Sequence, residues 1–222
     1  MDFNELEQER LKKLQRLRDR GIDPYPARVE RTHTNQQAID AFTVAEAGGT
    51  EVKATVVGRL VLIRTMGKSS FAHIEDGTSR LQIYLKIDLI GEADYEMFLK
   101  DLDLGDFIQA TGSMFRTKTG ESTLRPTAIR LISKAIHPPP EKWHGLKDTE
   151  TRYRQRYADL LSNPEVREVF RARTKVVNAL RRFLDDHDFL EVETPILQPL
   201  YCGAAARPFT THHNQLDQDL YL

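Results

Sequence analysis

Apolar residues recur at helical spacing at the start of the chain. Phe3, Leu6, Leu11, Leu14 and Leu17 are separated by charged positions, which predicts an amphipathic helix over residues 1–20. Gly21 is a suitable stop, and Pro24 and Pro26 prevent continuation. A second short helix is predicted near 35–47, closed by Gly48-Gly49. The period then changes to two. Residues 52–63 are rich in β-branched and aliphatic side chains and read as a long strand interrupted at Gly58. Met66-Gly67-Lys68 reads as a turn, residues 70–75 as a short strand, and Asp76-Gly77 as a hairpin signal. Between Arg80 and Leu85 the alternation is clean: Leu81, Ile83 and Leu85 on one side, Arg80, Gln82 and Tyr84 on the other. Residues 92–100 read as a helix, 106–115 as a strand, 118–120 as a turn, and 122–132 as a last strand whose Pro126 marks an edge or a bulge.

Five short strands with one helix between the third and fourth follow the order of an OB-fold, the small Greek-key barrel that binds oligonucleotides. SH3-like barrels have a similar strand count but lack that helix. Pro138-Pro139-Pro140 predicts a stiff extended linker. A basic segment, 151–157, follows it. Asn163-Pro164-Glu165 then opens a helix running to about Asp186. Val166, Val169, Phe170, Val177, Leu180 and Leu184 form its apolar face, and Arg167, Arg171, Lys175, Arg181 and Arg182 lie opposite. An extended run over 189–200 is broken by Pro195 and Pro199, and the chain ends in strand-like Asp219-Leu220-Tyr221-Leu222. The expected organisation is α+β: a helical extension (1–49), an OB-fold barrel (50–136), a linker (137–162), and the start of a further domain (163–222).

Composition adds bounds. The 222 residues are 40% hydrophobic and 29% charged, a soluble globular balance. No apolar stretch approaches the ~18–20 residues of a membrane span, and the N-terminus lacks the apolar core of a signal peptide. The expected location is cytoplasmic, with no membrane partner. A single cysteine, Cys202, excludes an internal disulfide and a multi-cysteine zinc site. Net charge is −1, which taken alone argues against a nucleic-acid binder. That average hides segregation: seven acids lie between Asp88 and Asp106 with only Lys100 among them. A basic stripe on a neutral protein still attracts phosphates, although charge alone is also met by ordinary solvated faces.

Several familiar signals are absent. Gly67-Lys68-Ser69 resembles the end of a P-loop, but Leu62 stands where its glycine is needed. His212 and His213 are adjacent, so on a strand they face opposite ways and cannot chelate one metal. Cys202 has no activating neighbours in sequence. The barrel is more informative. Arg64, Phe71, Gln82 and Glu121 fall on or beside its first, second, third and fifth strands. Phe71 can stack a base, Gln82 faces away from the apolar set with an amide that donates and accepts, and Arg64 and Lys68 suit phosphate. Pattern alone favours the plainer alternative, a core Phe71 with ordinary surface neighbours.

Five blocks carry a resemblance. Residues 189–197, FLEVETPIL, resemble motif 1 of class II aminoacyl-tRNA synthetases. Residues 204–209 (AAARPF) with 211–214 (THHN), 66–71 (MGKSSF), 117–121 (TKTGE) and 154–160 (RQRYADL) resemble bacterial-type lysyl-tRNA synthetases. The resemblance implies an OB-fold that reads the anticodon of tRNA(Lys), joined to a class II catalytic domain built on an antiparallel sheet. The whole enzyme activates lysine with ATP and Mg²⁺ and works as a homodimer. It further implies that Phe71 stacks on an anticodon base, that Arg64, Gln82 and Glu121 contact anticodon bases, that Pro195 lies at the dimer interface, and that Gly203 lines the lysine pocket. Two positions depart from the family pattern: Asp188 replaces a glycine, and Cys202-Gly203-Ala204 replaces Gly-Gly-Ala. Asp is tolerable where left-handed backbone is needed; a side chain at Cys202 could reshape the pocket.

Motifs 2 and 3 are not in these 222 residues. The expectation is therefore an N-terminal part of a lysine–tRNA ligase with no catalytic or metal-binding residue of its own, which forms no lysyl-adenylate alone. The alternative is a non-catalytic tRNA- or single-strand-binding protein derived from such an enzyme. Aspartyl- or asparaginyl-type enzymes share the barrel and motif 1, but the AAARPF and THHN blocks favour lysine.

Overall fold

The computed structural model describes residues 3–140, 146–201 and 207–222. The chain divides into two compact units, residues 1–162 and 163–222.

The first unit opens with α1 (Glu5–Asp19). Its start is a capping box: Asn4 accepts from the Glu7 amide and Glu7 accepts from the Asn4 amide. Its end is a Schellman motif. Gly21 adopts φ +73°, its amide donates to the Arg18 carbonyl, and the Ile22 amide donates to Leu17. α2 (Asn35–Glu46) has its own capping box between Thr34 and Gln37.

The barrel strands are β1 (Lys53–Met66), β2 (Ser69–Glu75) and β3 (Arg80–Lys86). Two helices, α3 (Ile87–Ile90) and α4 (Glu92–Lys100), lead to β4 (Phe107–Arg116) and β5 (Ser122–Ser133). They close in the order β1-β2-β3-β5-β4; β3–β5 is the parallel pair and the others are antiparallel. The OB-fold order expected from the sequence is thus present. Leu60, Ile74, Leu81, Ile83, Leu85, Ile108, Leu124 and Leu131 fill the interior, and Phe98 of α4 is buried with them.

Two local expectations are corrected. β1 is not interrupted at Gly58. It runs through, pairing with β4 up to Arg59 and with β2 from there on, and its irregularity lies between Leu60 and Leu62. Gly58 instead allows close approach, since a Cβ there would stand 2.9 Å from the Ile74 Cβ. The hairpin signalled by Asp76-Gly77 is present and joins β2 to β3. The Asp76 carboxylate accepts from the Thr78 and Ser79 amides, so a side chain closes a four-residue loop. Beyond the proline run, residues 149–162 form α5 (Thr149–Arg154) and α6 (Arg156–Ser162). Asp148 caps α5, and Arg152 and Arg156 converge on the buried Asp159. The bulge expected at Pro126 is present: Gly112 pairs with Pro126 and Thr111 with Ala128, leaving Thr127 extra.

The charge segregation also finds a cause. Three of the acids between Asp88 and Asp106 hold α1 and the end of β5. Lys13 pairs with Asp103 at 2.6 Å, and Arg16 and Arg20 with Asp101 at 2.9 and 3.2 Å. Lys134, fully buried, contacts Asp103 and Asp106 at 2.6 and 2.8 Å. Burial raises Asp106 above the ordinary carboxylate range against the pull of Lys134, whereas Lys13 and Lys134 together hold Asp103 below it, overcoming its own desolvation.

The second unit is α7 (Pro164–Asp185), an extended run, and a hairpin of β6 (Thr210–His213) and β7 (Gln218–Tyr221). α7 ends in another Schellman motif. Asp188 takes φ +63°, its amide donates to Asp185, and the Phe189 amide donates to Leu184. The left-handed geometry anticipated for position 188 is therefore real. Along the run, Gln198 bridges to Tyr221. Val169, Phe170, Leu180 and Leu184 of α7 are exposed.

Candidate nucleic-acid interface

β2 and β3 alternate. Ala72, Ile74, Leu81, Ile83 and Leu85 point into the barrel and are fully buried. Phe71, His73, Gln82 and Tyr84 therefore lie on the outer face. This excludes the core placement of Phe71: it is half-buried on the outside. The register sets Arg64 opposite Phe71, Phe71 opposite Tyr84, and His73 opposite Gln82. The β4–β5 turn, 117–121, rises beside them.

The result is one open cleft of about 670 Å³ whose lining includes Arg64, Phe71, Gln82 and Glu121. All four barrel residues singled out from sequence thus meet in one place. Its floor is aromatic. Phe71 and Tyr84 have ring centroids 4.7 Å apart, and Tyr84 and Phe115 6.1 Å. The Arg125 guanidinium stands 5.4 Å from the Phe115 centroid, within cation–π range.

Beside the shelf is a hydrogen-bonded chain of fixed direction. The Gln82 Nε2 donates to Glu121 Oε2 at 2.6 Å, and Thr123 Oγ1 donates to Gln82 Oε1 at 2.8 Å. His73 Nε2 lies 3.1 Å from Glu121 Oε1. A carboxylate only accepts, so this imidazole carries its hydrogen on Nε2. Burial pulls the His73 pKa below its ordinary value, outweighing the attraction of Glu121. Its buried Nδ1 has no hydrogen-bond partner among the described residues. Glu121 lines the cleft, half-exposed, and keeps lone pairs beyond these two contacts, and Gln82 keeps one amide hydrogen. An acceptor next to a donor, beside an aromatic shelf, suits a planar base bearing N–H next to C=O, as uracil and guanine do.

The rim is cationic. Arg64 is exposed, and neither it nor Lys118 forms an ion pair among the described residues. Arg116 also lines the cleft but is engaged by Glu46. Lys68 sits in the neighbouring β1–β2 turn and is exposed. His73, Tyr84, Phe115 and Thr123 were not picked out from sequence. Alternation already puts Tyr84 beside Gln82, so that signal was present; the others depend on register between strands distant in sequence.

Pro195 is exposed on the extended run of the second unit. Gly203 and Cys202 lie outside the described residues. No group of three or more His, Cys, Asp or Glu side chains among the described residues could hold a metal ion. No described helix is long and apolar enough to cross a membrane.

A closed five-stranded barrel with an aromatic, hydrogen-bonding cleft on its outer face is an OB-fold of the nucleic-acid-binding class. Residues 54–132 match the family described as OB-fold nucleic acid binding domain, and residues 148–222 match tRNA synthetases class II (D, K and N). Over its whole length the chain is 54% identical to a lysine–tRNA ligase of Roseiflexus sp. (strain RS-1), 52% to one of Pelotomaculum thermopropionicum and 47% to one of Bacillus subtilis (strain 168). It covers 45%, 43% and 45% of those proteins. Over its whole length the chain is thus similar to lysine–tRNA ligases, and it spans less than half the length of the curated relatives it matches.

Proposed function

We propose that the barrel cleft binds the anticodon of tRNA(Lys), and that these residues serve a protein that activates lysine with ATP and joins it to that tRNA. The observation that carries the reading is the cleft itself: a Phe71–Tyr84 shelf beside the Glu121–Gln82 pair. In this role Phe71 stacks on a base, Glu121 accepts from its ring N–H, Gln82 donates to its carbonyl, and Arg64 meets a neighbouring base or phosphate. The relatives' shared name supports the choice of tRNA and lysine.

On the same reading Gly203 lines the lysine pocket. Pro195 and the exposed apolar face of α7 belong to an interface between two copies, and the protein works in the cytoplasm. ATP and Mg²⁺ are the cofactors. The described residues do not include a cluster that fits the metal. These 222 residues by themselves are expected to give no lysine-dependent ATP–pyrophosphate exchange; turnover above background overturns that expectation.

The cleft is tested by titrating the chain with a tRNA(Lys) anticodon stem-loop and with the same loop carrying cytidines in place of the anticodon uridines. Tighter binding of the uridine loop is expected. Equal affinity for both overturns the anticodon assignment.

A further inference from the structure

We infer that Thr123 is a positioning residue of the cleft: its buried hydroxyl fixes the direction in which the Gln82 amide faces the incoming base. The inference rests on the base-recognition reading above and goes one residue deeper than it.

Thr123 sits on β5 next to Leu124, which fills the barrel interior. Successive residues of a strand face opposite ways, so Thr123 lies on the cleft side. It is nevertheless fully buried, and its hydroxyl reaches Gln82, which lines the cleft. A buried hydroxyl is costly unless it is hydrogen-bonded. Two acceptors are within reach: Gln82 Oε1 at 2.8 Å and the Glu121 backbone carbonyl at 3.2 Å.

The chemistry decides between them. The Glu121 carboxylate can only accept, so the amide nitrogen of Gln82 must be the atom facing it at 2.6 Å. The amide oxygen then faces Thr123, and this oxygen can only accept. The single hydroxyl hydrogen therefore goes to the nearer acceptor, Gln82. The backbones are locked at the same point, because the parallel β3–β5 ladder pairs Gln82 with Thr123 and Ile83 with Leu124.

With its oxygen held by Thr123 and one N–H held by Glu121, Gln82 has one N–H left for the cleft, in one direction. Without the hydroxyl the oxygen loses its donor. A side chain with three rotatable bonds then samples other rotamers, and the ordering cost returns at the moment of binding. The expected loss is in discrimination at the stacked base more than in overall attraction, because the rim cations are untouched.

The test uses the whole 222-residue chain as Thr123→Val, which keeps the shape, and Thr123→Ser, which keeps the hydroxyl. Two quantities are read. One is the NMR signal of the Gln82 side-chain amide without RNA, assigned by its disappearance in Gln82→Leu. The other is the ratio of Kd values for the cytidine and uridine stem-loops. Thr123→Val is expected to move the Gln82 signal toward that of a solvent-exposed glutamine and to lower the ratio about three- to tenfold, the range of one hydrogen bond. Thr123→Ser is expected to restore both. Thr123→Ala serves the same comparison if the valine variant loses its amide dispersion.

An unmoved Gln82 signal overturns the inference, and so does a moved signal with an unchanged ratio. If Phe71→Ala weakens binding while Thr123→Val leaves the ratio alone, only the role of Thr123 fails. If the unsubstituted chain shows no preference and Phe71→Ala binds as tightly, the base-recognition reading fails and the inference with it.

Discussion

Replacing Phe71 by alanine separates recognition from folding. The ring is on the outer face, half-buried, with Tyr84 at 4.7 Å. Its loss does not open a hole in the barrel core, so the ~3–5 kcal/mol of a core Phe→Ala change does not apply. What the fold loses is the aromatic pair, about 0.5–1.5 kcal/mol, and part of the ring's apolar burial. A domain stable by ~5–15 kcal/mol stays folded after that. What RNA binding loses is a stacked base, roughly 1–3 kcal/mol. At ~1.4 kcal/mol per decade, this is about a 5- to 150-fold rise in Kd.

The assay is titration of the uridine stem-loop by anisotropy, at one salt concentration, with thermal unfolding of the same samples. Phe71→Leu supplies the contrast, since it keeps apolar bulk on Tyr84 but has no π-face. It is expected to unfold near the unsubstituted chain and still bind weakly. An unchanged Kd for Phe71→Ala refutes the shelf. Full affinity in Phe71→Leu refutes stacking as its basis.

Three further outcomes follow from the geometry. Gly112→Ala places a Cβ 2.1 Å from the Arg125 carbonyl oxygen and 2.6 Å from the Pro126 Cα; these are backbone atoms, so the barrel should lose stability at or above the upper end of ~1–3 kcal/mol in denaturant unfolding, and a shift under about 0.5 kcal/mol contradicts this. Asp188→Gly relieves a φ of +63° at the end of α7. Against the entropic cost of glycine, a net gain of up to about 1 kcal/mol is expected, read as slower hydrogen exchange of the Phe189 amide; faster exchange counts against it. His73 has a folded pKa below its unfolded value of about 6.5. Its contribution is thus fully present above that pH and is lost as pH falls toward the folded pKa, because the unfolded chain takes up the proton first. His73→Gln should flatten the fall in Tm just below pH 6.5, and parallel curves for the two proteins would dismiss the role of His73.

What the sequence made legible depended on how local the cause was. α4 could be read to the residue because Glu92–Lys100 is periodic and starts after Gly91, which takes φ +87°. α3 was missed since four residues, Ile87–Ile90, carry no period. α5 and α6 were hidden by the proline run before them, although Asp148 three residues ahead of Thr151 is a readable cap. In the cleft, Gln82 followed from alternation on its own strand, whereas the pattern around Phe71 favoured the core and the barrel's closure puts the ring outside. Thr123 did not follow either, because its meaning depends on a parallel pairing with a strand about forty residues away. Residue 76 shows the same limit at short range: Asp-Gly reads as a turn, but which atom closes it is decided by the carboxylate.

Net charge was the weakest guide, and the structure gives the reason along with a measurement. Asp101, Asp103 and Asp106 are consumed by Lys13, Arg16, Arg20 and Lys134 in holding α1 and the end of β5 to the barrel. Those acids are therefore neutralised where they stand, and Glu46 likewise cancels Arg116 at the cleft. The field an RNA meets there comes from Arg64 and Lys118, with Lys68 in the next turn, against Glu121, whose carboxylate is held by Gln82 and His73. Two or three cations on a single strand predict a slope of log K against log salt of about −1.4 to −2.1, from −0.7 for each neutralised phosphate. Arg64→Gln should make the slope shallower by about 0.7 and weaken the uridine and cytidine loops alike if it meets phosphate. A salt slope that stays unchanged, with discrimination between the loops lost, assigns Arg64 to a base edge instead.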